Sequence, residues 1–389
     1  MKQAGQVVLL HAYSRRNSGD GLLVDLSVAM LREALGDEVK VSIVAADPAS
    51  FPEYADVVSA PVIAEEGLRR LTTAAAELVS WPTRTTTKLH QTLAAADLIV
   101  GVGGGYLRAR TGVEALKLEA GHMLQMRAAK ASGKPVVYLP QSIGPARAGL
   151  GCVSDGFAAH LTNLLGGFSS VFVRDGRSQS FLARNGNVTR APDLAVLEFE
   201  RNHEAVLSRA AMHSKTVRHV AFVLREAPSW NGTQRVRYAQ SVRRLAALLE
   251  KQCRLSFAVQ STGRGNDDAA YYHRLGIHTA LPSLKQMLAD DTPDVVVSVR
   301  LHGALESILH GVPAFHLSYE RKGFGAYGDL GIDDWVANAA DFDADAVAER
   351  IFRPQAIESF WHAATTGLGA IRASRAEIVA ALRRSAQID

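Results

Sequence analysis

Cysteine is almost missing: the 389 residues hold two, Cys152 and Cys253, far apart and outside any CxxC pair. Neither a disulfide framework nor a zinc site is indicated, and a reducing cytoplasm suits the chain. Other signatures are missing too. No HExxH-like spacing offers metal ligands, no GxSxG elbow offers a hydrolase nucleophile, and no GxxxxGK[ST] loop offers P-loop chemistry. Gly101-Val102-Gly103-Gly104-Gly105-Tyr106 fails the GxGxxG pattern, because Tyr106 stands where the last glycine belongs. No apolar run is long enough to span a bilayer, and Val7-Val8-Leu9-Leu10 is too short for a signal-peptide core. Any membrane role is therefore expected to be peripheral. Dense Lys/Arg tracts are missing as well. The formal net charge of +4 suits an anionic substrate, or loose contact with an anionic membrane face, and argues little for nucleic acid.

What is present is globular. Hydrophobic residues make up 47% and charged residues 21% of the sequence, the balance of a soluble protein. The length accommodates two domains of ordinary size. Val7–Leu10, Val39–Val44, Leu98–Val102, Val136–Leu139 and Val171–Val173 read as strands. Between them, Leu22, Leu23, Leu26, Met30 and Leu31 share one helical face, and residues 64–95 (with a break at Trp81-Pro82), 113–131 and 153–165 read as helices. Asp193 to Ser214 is charged and loses this rhythm, which predicts a linker. The pattern then restarts with strands Val217–Leu224, Leu255–Gln260, Val295–Val299 and Ala314–Leu317. Helices are expected at 234–251, 343–352 and 355–385, and a polar loop at 261–268. Such alternation predicts parallel sheets covered on both faces, in domains spanning 1–200 and 215–389. In such sheets ligands sit at the carboxyl ends of strands, and two similar α/β domains imply a cleft.

The stretch 295–305, Val-Val-Val-Ser-Val-Arg-Leu-His-Gly-Ala-Leu, carries the most chemistry. A buried strand hands over to a helix that Gly311 and Pro313 bring to an end. Arg300 and His302 thus stand at a helix N-terminus, where backbone N–H groups and the dipole favour an anion. Arginine adds a fixed fork of donors for a carboxylate or phosphate, and histidine adds a proton that moves near neutral pH. The plainer reading of the pair is a salt-bridged arginine and a capping histidine. Four more segments share the layout of a strand end followed by small, polar or charged residues: Asn17-Ser18-Gly19-Asp20, Gly103-Gly104-Gly105, Gln141-Ser142-Ile143-Gly144-Pro145 and Arg174-Asp175. Glycine there lets backbone approach a ligand, or merely makes a tight turn. Gln141 to Pro145 reads as a rigid turn or a contact surface. His316 and Lys322 follow the next strand; Asp290-Asp291 and Asp333-Asp334 read as solvated turns.

Taken in order, these segments resemble the polysaccharide pyruvyl transferase family. The matching pieces are Asn17-Ser18-Gly19-Asp20, Asp97 to Gly105, Lys134-Pro135-Val136-Val137 leading to Gln141-Ser142-Ile143-Gly144-Pro145, Val173-Arg174-Asp175 with Ser178, Ala191 to Ala195, Arg300-Leu301-His302, and Gly311-Val312-Pro313 to Ser318-Tyr319 with Lys322. Ser142 departs from the pattern, which often has glycine there. The resemblance implies a GT-B-like α/β fold, two Rossmann-like domains facing across a central cleft. The amphipathic helix at 355–385 is expected either to cross back onto the first domain or to serve a partner. It implies phosphoenolpyruvate as donor and, as acceptor, a hexose of a cell-surface polysaccharide or its lipid-linked precursor, joined as a pyruvate ketal. No metal or redox cofactor is expected. Arg174, Arg300, Leu301 and His302 are carried over as donor-binding residues, with Lys322 assisting the phosphate, and the C-terminal domain is the expected phosphoenolpyruvate side. His302 is the first candidate for general acid and His316 the second; Asp20 or Asp193 is the candidate base. Asn17, Gly104, Gly105 and Gln141 are placed on the acceptor side. Two alternatives stand beside this: a GT-B glycosyltransferase using a sugar nucleotide, for which Glu306 is the nearby ribose-holding carboxylate, and a non-catalytic carbohydrate-binding relative.

Overall fold

The computed structural model describes residues 5–65, 67, 72, 73, 76, 82–109, 112–144, 151–214, 216–263 and 266–387. Trp81, most of the helix expected before it, and Pro145 lie outside the described residues. The chain divides into two compact units: residues 1–15, 20–194 and 373–389 form the first, and residues 16–19 with 195–372 form the second.

The first unit is built on a sheet of eight strands: β1 Gln6–Ala12, β2 Lys40–Ala45, β3 Val57–Ser59, β4 Leu98–Gly101, β5 Gly104–Leu107, β6 Val136–Ile143, β7 Ser170–Val173 and β8 Val188–Arg190. They lie in the order β3-β2-β1-β4-β6-β7-β8, with β5 beside β6, and every pairing is parallel. The apolar runs explain this. Val7 to Leu10 and Leu98 to Val100 are buried at both alternations, as a strand covered on two faces requires. The order turns back between β1 and β4, so the loops leaving those strands flank a switch point, where ligands of such sheets sit.

The second unit repeats the plan with five parallel strands: β9 His219–Val223, β10 Arg254–Phe257, β13 Val295–Ser298, β14 Ala314–Ser318 and β15 Val336–Asn338. Their order is β10-β9-β13-β14-β15. Its switch point lies between β9 and β13, whose following loops carry Arg225 and Arg300. A small hairpin, β11 Thr262–Gly263 with β12 Asn266–Asp267, occupies the stretch expected to be a polar loop.

Four expectations are corrected. Residues 193–214 are not a linker but hold helices Leu194–Arg201 and His203–Met212; the first buries Leu194, Val196, Leu197 and Phe199. Gln141 to Ile143 is not a turn. It is the end of β6, paired on both sides by β5 and β7. The helix expected over 113–131 is interrupted by a π-helical turn, Glu119–Met123, and that over 355–385 is two helices, Ala356–Thr366 and Leu368–Ser385.

Candidate active site

In the second unit, β13 ends at Ser298 and helix Leu301–Leu309 begins with Arg300 as its N-cap residue. Ser298 shapes the handover: its hydroxyl accepts the Arg300 N–H at 3.1 Å and donates to the Arg300 carbonyl at 2.8 Å. The Arg300 side chain does not cap the helix, and the first turn carries the positive end of the dipole. Arg300 is buried and directs its guanidinium onto Asp268. Its Nε lies 2.9 Å from both carboxylate oxygens, and Nη2 closes a second bond. Asp268, fully buried, also accepts the backbone N–H groups of Gln260 and Ser261, each at 3.0 Å. A guanidinium and a carboxylate taken out of water together need this completeness, because either alone carries a desolvation cost of several kcal/mol.

His302 stands in the first turn of the helix, pressed by Gly19: a Cβ on that glycine would meet the His302 Cβ at 2.9 Å. Gly19 belongs to a four-residue segment that joins this unit. Asn17 bridges antiparallel to Ser261, the Ser18 N–H donates to the Gln260 carbonyl at 3.1 Å, and the Thr262 N–H donates to the Arg16 carbonyl at 3.0 Å. The Ser18 hydroxyl reaches Glu306 at 3.4 Å, and burial raises the Glu306 carboxyl above its ordinary range.

His316, on β14, is buried and bonds through Nδ1 to the Ser298 carbonyl at 2.8 Å. That carbonyl only accepts, so Nδ1 carries the proton. Burial, with the nearby Lys322 and His302, lowers its pKa to about 4, so the ring is neutral at pH 7. Lys322 pairs with Glu320 at 2.9 Å at the start of helix Arg321–Asp329. Arg225, beyond β9, lies over the Tyr319 ring at 5.8 Å. Burial lowers its pKa, and Arg300 adds to the effect.

In the first unit the expected residues gather at the ends of β4 to β7. Arg174 is buried and pairs with the buried Asp193, while its Nε donates to the Ser142 hydroxyl at 3.0 Å. Ser142, where the family pattern often has glycine, thus holds the arginine. The glycines permit close approach: a Cβ on Gly105 would lie 3.1 Å from Arg174 Nη2, and one on Gly103 would lie 2.6 Å from Leu194. Gln141 is fully buried, donating through Nε2 to the Val102 carbonyl at 2.8 Å and to the Tyr106 hydroxyl. Gly104 has φ +155°. Asp20, half-buried, lies in the first turn of helix Ser18–Leu35 and groups with this unit.

Sequence reasoning missed a further cluster here. His11 interrupts β1 at a register shift, with φ +69°, a strained value for a non-glycine residue. Its Nε2 bonds the Tyr138 hydroxyl at 2.6 Å and its Nδ1 meets Nδ1 of His122 at 3.1 Å. His122 is supplied by the π-helical turn, and burial lowers its pKa to about 4. Tyr106 stacks on the His122 ring at 4.9 Å. Gln260, Asp268 and Arg225 were missed in the second unit as well. Arg225 alone carried a signal, a charged residue just past a strand. No group of three or more His, Cys, Asp and Glu side chains is placed to hold a metal among the described residues.

Similar folds occur in sugar-nucleotide proteins. Anabaena HepE, solved with UDP-glucose, shares 14% identity over 98% of each chain at a TM-score of 0.52. Neisseria meningitidis UDP-GlcNAc 2-epimerase, solved with UDP-GlcNAc, shares 11% identity over 97% of this chain and 100% of that one at 0.54. A UDP-N-acetylglucosamine 2-epimerase from Listeria monocytogenes, described as putative, shares 11% over 98% and 96% at 0.55. These likenesses define the class: a GT-B-like fold of two α/β domains with parallel sheets. No curated protein matches the chain in sequence. The family model of the polysaccharide pyruvyl transferases matches residues 17–321, most of the chain, and the protein belongs to that family.

Proposed function

We propose that the protein moves the enolpyruvyl group of phosphoenolpyruvate onto two hydroxyls of a hexose in a cell-surface polysaccharide or its lipid-linked precursor, closing a pyruvate ketal. One observation carries this beyond family membership. At the switch point of the second unit, Arg300 is locked by Asp268 at a helix N-terminus that its own side chain does not cap, with His302 in the same turn. A small, multiply charged enol ester needs such a seat, since preorganised dipoles stabilise charge without reorganising.

In the reaction the methylene carbon of phosphoenolpyruvate takes a proton, a sugar hydroxyl attacks the neighbouring carbon, phosphate leaves, and the second hydroxyl closes the ring. His302 is the proposed general acid, a role commonly worth about 10²–10⁴ in rate. His316 is the weaker candidate, because it is neutral at pH 7 and spends its one N–H on Ser298. Lys322 is assigned to the phosphate and Asp20 to the attacking hydroxyl. Arg174 is the other pyruvyl-donor residue the resemblance names; in the first unit its geometry explains a structural tie to Asp193.

The sugar-nucleotide alternative would present Glu306 to a ribose. That carboxylate is buried and engaged by Ser18 in its own unit. The test is phosphate release from phosphoenolpyruvate with hexose-terminated lipid-linked oligosaccharides, read beside a thermal-shift screen. Acceptor-dependent release and a shift with phosphoenolpyruvate are expected; a shift with UDP-sugars alone would overturn the reading. His302→Ala and Arg300→Ala should each lower turnover at least about 10²-fold, and near-normal rates would cancel the assigned roles.

A further inference from the structure

Gln260, just beyond β10, is 4% exposed. Its backbone is fully engaged, the N–H with Asp268 and the carbonyl with Ser18. Its side chain is not: neither amide atom has a hydrogen-bond partner among the described residues. The amide oxygen sits 2.7 Å from where a Cβ would stand on Gly303, in the first turn of helix Leu301–Leu309. The carboxamide is therefore buried and packed against the first turn of that helix, whose N-cap residue Arg300 does not cap it with its side chain.

Burying an amide without partners costs stability, and native folds rarely tolerate it. A glutamine kept for packing would be bonded, or replaced by an apolar residue of like volume. With the oxygen turned to the helix, the two Nε2 hydrogens remain for a ligand rich in acceptors. Asp268 already answers Arg300, so the dipole end and the Arg225 cation, within electrostatic reach of that pair, favour the ligand as an anion. We propose that Gln260 is a specificity-determining residue of the pyruvyl-donor site, its Nε2 donating to an anionic oxygen of phosphoenolpyruvate seated on the helix N-terminus. This rests on the function proposed above.

The experiment titrates phosphoenolpyruvate, and separately inorganic phosphate, into the full chain and its Gln260→Met and Gln260→Glu variants, and records melting temperatures. Methionine matches the shape and removes the unbonded amide, so Gln260→Met should melt no lower than the parent yet bind phosphoenolpyruvate about tenfold more weakly, the scale of a lost bond to a charged group. Gln260→Glu should bind more weakly still, through repulsion. Equal weakening for phosphate assigns the contact to the phosphoryl end, and an unchanged phosphate affinity assigns it to the carboxylate. Unchanged phosphoenolpyruvate binding in Gln260→Met, or a lowered melting temperature, would overturn the role of Gln260 alone. Absence of phosphoenolpyruvate binding by the parent would overturn the functional reading and this inference with it.

Discussion

Arg300 and Arg174 are each answered by a buried carboxylate, Asp268 and Asp193. Asp268→Ala strands a buried guanidinium and two backbone N–H groups, a loss of about 3–5 kcal/mol. Asp268→Asn, whose amide oxygen still accepts, should lose less. Chemical denaturation checks both, and a loss under about 1 kcal/mol for Asp268→Ala would mean the pair is solvated. The buried histidines set a second expectation. His122 and His316 titrate at about 4 in the fold because burial opposes their charge, against about 6.5 when unfolded. Between those values the unfolded chain binds more protons, so stability rises with pH there. It is lost as the solution is acidified from pH 6.5, and the loss is complete below about 4, on the order of 3 kcal/mol for each ring. His316→Asn keeps a donor for the Ser298 carbonyl and removes the titration. Its urea midpoint should therefore fall less over that window than the parent's. Equal falls would show that His316 does not contribute.

Among elements, the close packing of helix Arg321–Asp329 on β14 is the most exposed to test. A Cβ on Gly323 would stand 2.2 Å from the Ser318 hydroxyl and 2.3 Å from His316 Nε2, so Gly323→Ala must push helix and strand apart, at about 1–3 kcal/mol. Gly369→Ala meets nothing within 4 Å and should be neutral or gain up to about 1 kcal/mol of helix propensity. Thermal melts of the two variants decide it, and equal melting points would contradict the packing. The same close contacts explain what the sequence could and could not tell. Val295 to Ser298 was legible because a β-branched run buried on both faces has few alternatives, and Arg300 and His302 were legible because they follow it. Helix Leu194–Arg201 was not, because its apolar face is interleaved with Glu198, Glu200 and Arg201 and only packing separates the two sides. Pro140-Gln141-Ser142 has the composition of a turn, yet neighbours on both edges hold it as strand. Asp268 and Gln260 sit in a polar stretch whose meaning comes from a residue far along the chain. His11 lies inside an apolar run, and nothing in its neighbours announces a positive φ.

For the whole molecule, the C-terminal helix Leu368–Ser385 decides how much of the chain is needed. From Ala373 onward it groups with the first unit. There Ile378 and Leu382 are fully buried and Val379 nearly so. Arg375 pairs with Glu33 at 2.5 Å, and Arg383 donates to the Ala34 carbonyl at 2.9 Å, tying the helix to the end of Ser18–Leu35. Burying a large aliphatic side chain is worth about 1.5–3 kcal/mol, so three of them supply about 5–9 kcal/mol. A typical domain has only about 5–15 kcal/mol in all. Truncation after Arg372 should therefore leave the first unit marginal, while the second unit, which keeps its own five-stranded sheet, retains its fold. Amide hydrogen exchange on the truncated chain reads the two sheets separately. Protection is expected to collapse in β1 to β8 and to persist in β9, β10, β13, β14 and β15. If β1 and β4 stayed as protected as in the full chain, the helix would be an accessory. If both sheets lost protection together, the second unit would lack the independent core that its buried Val295, Val296, Val297 and Phe222 describe.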